Sequence, residues 1–447
     1  MKNFSLILAS FLFFACQKET LELPAPTPPP APVVPTSTVK STSLAIQLPN
    51  ITPANVGTGI DSSIPGMLFF VKDGEEHLII PPTLFNAEPL IPSIHLKKQN
   101  NEWKVMGNYP EAAMGCGRDS DFLDNSGTLV YADHGIEPSQ GEWPFGNLFI
   151  VKPTSDKLAW TKISKDRSFY HSVSTGDLNN DGLMDVIALH MGTKGTWNDQ
   201  LHTYIQKSDG SFEPDKNLIS YDQWQGAYGA GAVLLANIMG DARPEIIRSD
   251  YRVFPEYPSK RYSFSIFSFD SKTGKYEFVK TPGVSGFATT DYGTTSMKAV
   301  DLDQDNDLDL VLAFEGNQTN GVEIWTNNGN GDFVYSNQRL IYNFSELQFR
   351  EFEIADYNND GSPDIILNGW QGKLFKGDFS KGELLLHNLI WKNNKGTFEK
   401  LSTPTIVNTG DMPTYVKAFI VDKKIRFIGI KGSNDGKLTI NDIVPVF

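Results

Sequence analysis

Asp177-Leu178-Asn179-Asn180-Asp181-Gly182-Leu183-Met184-Asp185, followed at once by Val186-Ile187-Ala188-Leu189, is the stretch whose reading decides the fold. The pattern returns as Asp301-Leu302-Asp303-Gln304-Asp305-Asn306-Asp307-Leu308-Asp309 before Leu310-Val311-Leu312, and as Asp356-Tyr357-Asn358-Asn359-Asp360-Gly361-Ser362-Pro363-Asp364 before Ile365-Ile366-Leu367. A degraded copy runs Asn237, Met239, Asp241, Ala242 and Glu245 before Ile246-Ile247. Side-chain oxygens stand at the first, third, fifth and ninth positions, and the seventh, Leu183, Asp307 or Ser362, offers a backbone carbonyl. That set suits a hard cation such as calcium, which takes six to eight oxygens. Gly182 and Gly361 permit a left-handed turn at position six, and Asn306 tolerates one. An EF-hand is rejected, because position twelve is Ala188, Leu312 or Leu367 where it needs Glu, and a strand pattern follows where it needs a helix. Three turns in register predict three structural calcium ions. The 237 copy, with Met239 in place of an oxygen ligand, is expected to fold without metal.

The copies start at 177, 237, 301 and 356, a recurrence of about 60 residues that marks a repeat architecture. Weaker copies fit the same frame: Asp73-Gly74 before His77 to Ile80, Asp121 to Leu129 before Val130-Tyr131-Ala132, and Asp422 to Lys424 before Ile425 to Ile428, which makes seven units. A polar turn and an aromatic recur in the second half of most units, at Trp103, Trp160, Phe212, Tyr276, Phe333 and Phe398. Each unit reads strand, acidic turn, strand, loop, strand, turn, strand, and four such antiparallel strands make a propeller blade. The expectation is an all-β, seven-bladed β-propeller over residues 42–447, with Leu44 to Leu48 a candidate closing strand for the last blade.

These turns and their spacing resemble the FG-GAP/VCBS repeat family, best known from the seven-bladed head of the integrin α chain. The resemblance covers residues from about 62 to 447. It implies that the ions staple the hairpin between a blade's first two strands and take no part in catalysis.

Ahead of the repeats, Lys2 and an apolar run from Phe4 to Phe14 form a secretory h-region, too short to span a membrane as a mature helix. Ala15-Cys16 resembles the lipobox of bacterial lipoproteins, although Phe13 stands where that family usually has Leu. The resemblance implies removal of residues 1–15 and acylation of Cys16. Residues 16–41 hold seven prolines between Pro24 and Pro35 and read as a stiff tether. Gln17-Lys18-Glu19 resembles the export segment of surface lipoproteins. The expected place is therefore the bacterial outer membrane or cell surface, with the acyl chains the sole membrane contact. Cys116 remains as a buried thiol, so no intramolecular disulfide is expected.

Thirty-nine basic against 53 acidic residues give a net charge of −14. Nucleic acid, which needs a clustered positive field, is excluded as a partner. The long loops after the second strands carry Trp143, Trp197, Tyr251, Tyr257 and Trp370, aromatics suited to sugar rings or a protein partner. His134, His171 and His190, with Tyr170, fall at strand ends on the same face and are candidates for an acid/base group, as in propeller-fold polysaccharide lyases, or for a transition-metal site. Arg118, Lys298, Glu351, Glu353 and Lys417 fall on innermost strands, where ion pairs between blades are expected. The leading reading is a monomeric, lipid-anchored, calcium-stabilised propeller that binds an extracellular carbohydrate or protein. An enzyme acting on acidic polysaccharide and a structural or adhesive protein are the alternatives; fold does not choose among them.

Overall fold

An acidic turn between two apolar runs folds as a hairpin, and here the hairpins accumulate into four-stranded units. The computed structural model describes residues 40–47, 66–81, 91–135, 146–154, 157–165, 168–191, 201–221, 231–241, 243–249, 263–282, 293–316, 318–410, 412–421, 424–432 and 437–444. Among the described residues the chain is all-β, with thirty strands and two short 3-10 helices.

Five separate four-stranded sheets follow the chain in order. The first unit runs from Leu68–Lys72 to Glu102–Met114, the second from Gly117–Phe122 to Leu158–Lys162, and the third from Phe169–Gly176 to Phe212–Pro214. The fourth runs from Val233–Ala236 to Lys275–Lys280 and the fifth from Gly293–Val300 to Phe333–Asn343. An eight-stranded sheet holds a sixth unit, Gln348–Ala355 to Thr397–Lys400, and a seventh group beginning at Tyr415–Val421; the bridge Gly369–Val416 joins the two halves. The last group is completed from the other end of the chain, since Lys40–Gln47 pairs antiparallel with Lys437–Val444, setting Leu44 opposite Ile440. This strand starts inside the stretch expected to be tether. The described residues fall in one compact unit; residues 1–35, and Cys16 with them, lie outside the described residues.

Second strands read as unbroken apolar runs because both of their faces are covered. Val186 and Ala188 pack toward the second unit, whereas Ile187 and Leu189 pack toward the fourth. Leu310 and Leu312 likewise face the fourth unit while Val311 and Ala313 face the sixth. One cluster joins the first unit to the second through Phe70, Ile79, Leu129 and Phe149. Another joins the last group back to the first unit through Phe69, Leu78, Trp103, Phe419, Ile428 and Ile440. The recurrent aromatics all fall on fourth strands, as their spacing predicts.

Polar contacts reinforce two seams. Between the last group and the first unit, buried Arg426 binds Asp442, with Nε 2.7 Å from Oδ1, and reaches Glu76 at 2.6 Å. Asp442 also receives Lys98 at 2.8 Å and the Trp103 indole at 3.2 Å. Burial alone would raise the Asp442 carboxyl, but Arg426 and Lys98 overcome it and hold it below its ordinary value. Between the first and second units, the Leu158 amide donates to Tyr109 Oη at 3.1 Å, and Tyr109 Oη lies 3.0 Å from His95 Nδ1. His95 Nε2 lies 2.9 Å from His77 Nδ1, which makes a chain of buried hydrogen bonds across the seam. Burial, with His77 and Lys97 adding to it, pushes His95 down to about 3.

Asp442→Ala should destabilise the protein by about 3–5 kcal/mol in urea unfolding, because it leaves the buried Arg426 guanidinium short of a carboxylate, with Glu76 in place of the Asp442–Glu76 pair. The double variant Asp442→Ala, Arg426→Met should recover part of that loss. For the imidazole chain, the unfolded state takes up a proton below about pH 6.5 that folded His95 refuses down to about pH 3. Its stabilisation is therefore complete above pH 6.5 and drains away on acidification. The stability gap between the wild type and His95→Phe should shrink or reverse from pH 7 to pH 4, and a gap independent of pH would contradict the chain.

Candidate metal turns and a charged cavity

The three intact turns share one geometry. Position six is left-handed, with φ of 85° at Gly182, 75° at Asn306 and 89° at Gly361; so is position four, at Asn180, Gln304 and Asn359. Position one caps the turn: Asp177 accepts from the Asp181 and Gly182 amides at 3.0 and 2.8 Å, and Asp356 from those of Asp360 and Gly361 at 3.0 and 2.8 Å. Position nine is a clamp. Asp185 accepts from the Leu178 amide and, across on the third strand, from the Gln206 amide. Asp309 does the same with Leu302 and Asn327, and Asp364 with Tyr357 and Asn393. Burial is the main cause that pushes each of these three carboxyls up to about 6. The degraded turn keeps the clamp with a longer side chain, since Glu245 accepts from the Ile238 amide at 2.9 Å and Ser268 at 3.3 Å.

Position two carries the clamp to the neighbouring unit. The Leu178 carbonyl accepts from Tyr276 Oη at 3.1 Å, the Ile238 carbonyl from Asn327 Nδ2 at 3.0 Å, and the Leu302 carbonyl from Asn393 Nδ2 at 2.8 Å.

Only one of the turns converges three carboxylates: ligand oxygens of Asp301, Asp303 and Asp309 lie within 4.8 Å of one another. Asp303 Oδ1 is buried with no hydrogen-bond partner. An orphaned oxygen in an all-oxygen set fits a hard cation. In the other two turns Asn179 Nδ2 donates to Asp181 at 2.9 Å and Asn358 Nδ2 to Asp360 at 2.8 Å, so metal-free closure there uses the amide.

Residues 301–367 match the model of the FG-GAP-like repeat. This repeat takes in the whole 301 turn and the 356 turn with the apolar runs that follow them, Leu310-Val311-Leu312 and Ile365-Ile366-Leu367. The chain is also similar to a T-cell immunomodulatory protein homolog of Plasmodium yoelii yoelii, at 24% identity over 241 residues, 49% of this chain and 33% of the relative. It thus spans about a third of that relative's length.

Beside the FG-GAP-like turns, the first strands of six units line one cavity of about 210 Å³, with Arg118, Asp119 and Asp121 from the second unit and His171, Ser172 and Ser174 from the third. Lys298, Arg350, Glu351, Glu353 and Lys417 complete its charged wall. Lys298 pairs with Glu353 at 2.6 Å and Lys417 with Glu351 at 2.7 Å, so these four bridge units as expected. Burial pushes Glu351 up to about 7 against the pull of Lys417.

The histidine candidates divide into two groups. His134 Nε2 meets His171 Nε2 at 2.8 Å, both buried. Burial, then Arg118, pushes His134 down to about 3. Tyr170 precedes His171 at a bulge in the first strand and takes other partners, meeting His202 Nδ1 at 3.5 Å and Tyr204 Oη at 3.4 Å. His190 bonds Ser168 Oγ at 2.8 Å and lies 4.2 Å, ring to ring, from His202. Sequence reasoning missed His202, which sits opposite Ala188 in the register.

Trp370 departs from its expectation. It lies on the second strand of the sixth unit, 6% exposed, with Tyr415 at 6.4 Å and the Arg350 guanidinium 5.5 Å from its ring, so it packs a seam and offers no exposed platform. Trp143, Trp197, Tyr251 and Tyr257 lie outside the described residues.

Positions three and nine should separate in mutagenesis. Asp309→Ala strands two buried amides and should cost about 1–3 kcal/mol even in chelator, and more in millimolar calcium because Asp309 also belongs to the carboxylate set. Asp303→Ala should cost stability in millimolar calcium and little in chelator. Equal losses for Asp303→Ala under both conditions would remove the metal from that turn.

Proposed function

We propose that this protein is a lipid-anchored, calcium-stabilised propeller of seven four-stranded blades that binds a carbohydrate or protein ligand outside the cell. The cavity walled by the first strands of six units carries this reading, together with the return of the apolar packing from the last group to the first unit. Sheets arranged about one axis in this way put every acidic turn on one face. The connections after the second strands, with Trp143, Trp197, Tyr251 and Tyr257, then fall on the other, and that face is the binding face. Calcium in the turns at 177, 301 and 356 holds the hairpins, which in turn hold the seams. Acylated Cys16 and the proline tether keep the domain at a bacterial outer membrane or cell surface.

Binding is favoured over turnover by the surroundings of His134. An imidazole that protonates near pH 3, with Nε2 turned to a second imidazole, is a poor base at neutral pH.

At millimolar calcium the folded chain should hold about three ions, and chelation should lower its melting temperature; one ion or none would overturn the three-turn reading. On a glycan or surface-protein array, Trp143→Ala and Trp197→Ala should each weaken the ligand found by about fivefold or more. Full affinity in both would move the site off this face. Release of unsaturated sugar, abolished by His134→Ala, would favour the enzyme reading instead.

A further inference from the structure

With one exception, the charged side chains of the cavity wall are matched. Asp119 accepts from the Ser120 and Val173 amides at 2.9 and 3.0 Å and from Ser172 Oγ at 2.8 Å. Asp121 accepts from the Phe122 and Thr175 amides, both at 2.8 Å, and from Thr175 Oγ1 at 3.1 Å. Glu353 and Glu351 have their lysines, and Arg350 forks onto Glu315 at 2.6 and 3.1 Å. Arg118 makes no hydrogen bond or ion pair among the described residues, although it lines the cavity.

The wall is also graded along the strands. Arg118 is second in Gly117–Phe122, and His171, Thr295 and Arg350 are each third in theirs. The register sets this end against the second-strand exits, Gly117 opposite Asp133 and Gly293 opposite Glu315. Asp121, Lys298 and Glu353 lie further along, toward the acidic turns. Two guanidiniums therefore stand at the end of the cavity where the second strands finish, and one of them has its planar fork of donors uncommitted. Such a fork matches a carboxylate or sulfate in two parallel hydrogen bonds.

We propose that Arg118 binds an oxyanion, a carboxylate or sulfate group carried by the ligand, inside this cavity. The proposal rests on the binding-protein reading and adds the charge class of what is bound. A volume near 210 Å³ equals that of about seven waters, room for roughly one acidic monosaccharide. The net charge of −14 does not forbid this, because distant surface charges are screened beyond about 8 Å at physiological salt. Binding must then be local, and it must weaken as salt rises.

Calorimetry on the full chain in calcium, with glucuronate, inorganic sulfate and glucose as probes, tests the proposal. Glucuronate or sulfate should bind saturably at millimolar concentration and glucose should not. A response to glucuronate alone assigns a uronate, and a response to sulfate alone a sulfate ester. Arg118→Gln should weaken the anion about tenfold or more. It removes no hydrogen bond of the fold and should melt as the wild type does. If it fails to fold, Arg118→Lys decides, since it keeps the charge, loses the fork and should still bind more weakly than Arg. No response to either anion, or equal binding by Arg118→Gln, overturns the proposal. A glycan or protein ligand held equally by Arg118→Gln, with no salt dependence, overturns the anion site and leaves the binding-protein reading standing. Anion binding that depends on Arg118, in a chain for which the arrays yield no larger ligand, supports the site and counts against that reading.

Discussion

A four-stranded sheet with two apolar faces cannot bury them alone. In this protein each sheet is covered by its two neighbours, and the last is covered by the first. That constraint explains why second strands lack polar alternation and why no single large core is needed. It also explains why the seam between the last group and the first unit carries the buried Arg426–Asp442 pair with Lys98, Glu76 and Trp103 around it. An ion pair of this kind adds little net energy against an apolar substitute, but it accepts one alignment of the two sheets.

The acidic turns belong to the same system. Position nine fastens the turn to its own third strand, and the position-two peptide, whose amide it holds, presents its carbonyl to the next unit. A cation drawing the 301 turn together would therefore act on the seam to the sixth unit as well as on its own hairpin. The 237 turn shows the clamp surviving where the ligand set has decayed: Glu245 replaces Asp, and Met239 packs against the cluster shared with the fifth unit. Clamp and metal ligation are separable duties of one loop.

What was legible in the sequence was local. The turn pattern, the left-handed sixth position and the aromatics of the fourth strands follow from short spacings and appear where expected. The closing strand was legible too, from the alternation Leu44-Ala45-Ile46. Trp370 was misplaced because it belongs to a strand that continues past the apolar run, and its burial depends on Tyr415 far along the chain. Tyr170 and His171 looked like partners because they are adjacent, but the strand bulges at this point and the two take different partners. Charge type alone grouped Arg118 with the bridging residues; the neighbours that leave it apart come from other units.

The pairing of Lys40–Gln47 with Lys437–Val444 has a kinetic consequence. Every other unit is assembled from strands of one contiguous segment and can form as soon as that segment is available. This one joins segments almost four hundred residues apart, a contact of very high order whose loop-closure entropy must be met before the strands reward it. Until then Lys437–Val444 presents an open edge able to pair with another chain. Closure should therefore be the slow, concentration-sensitive step of folding, with exchange of this one strand between two molecules the expected route of misassembly.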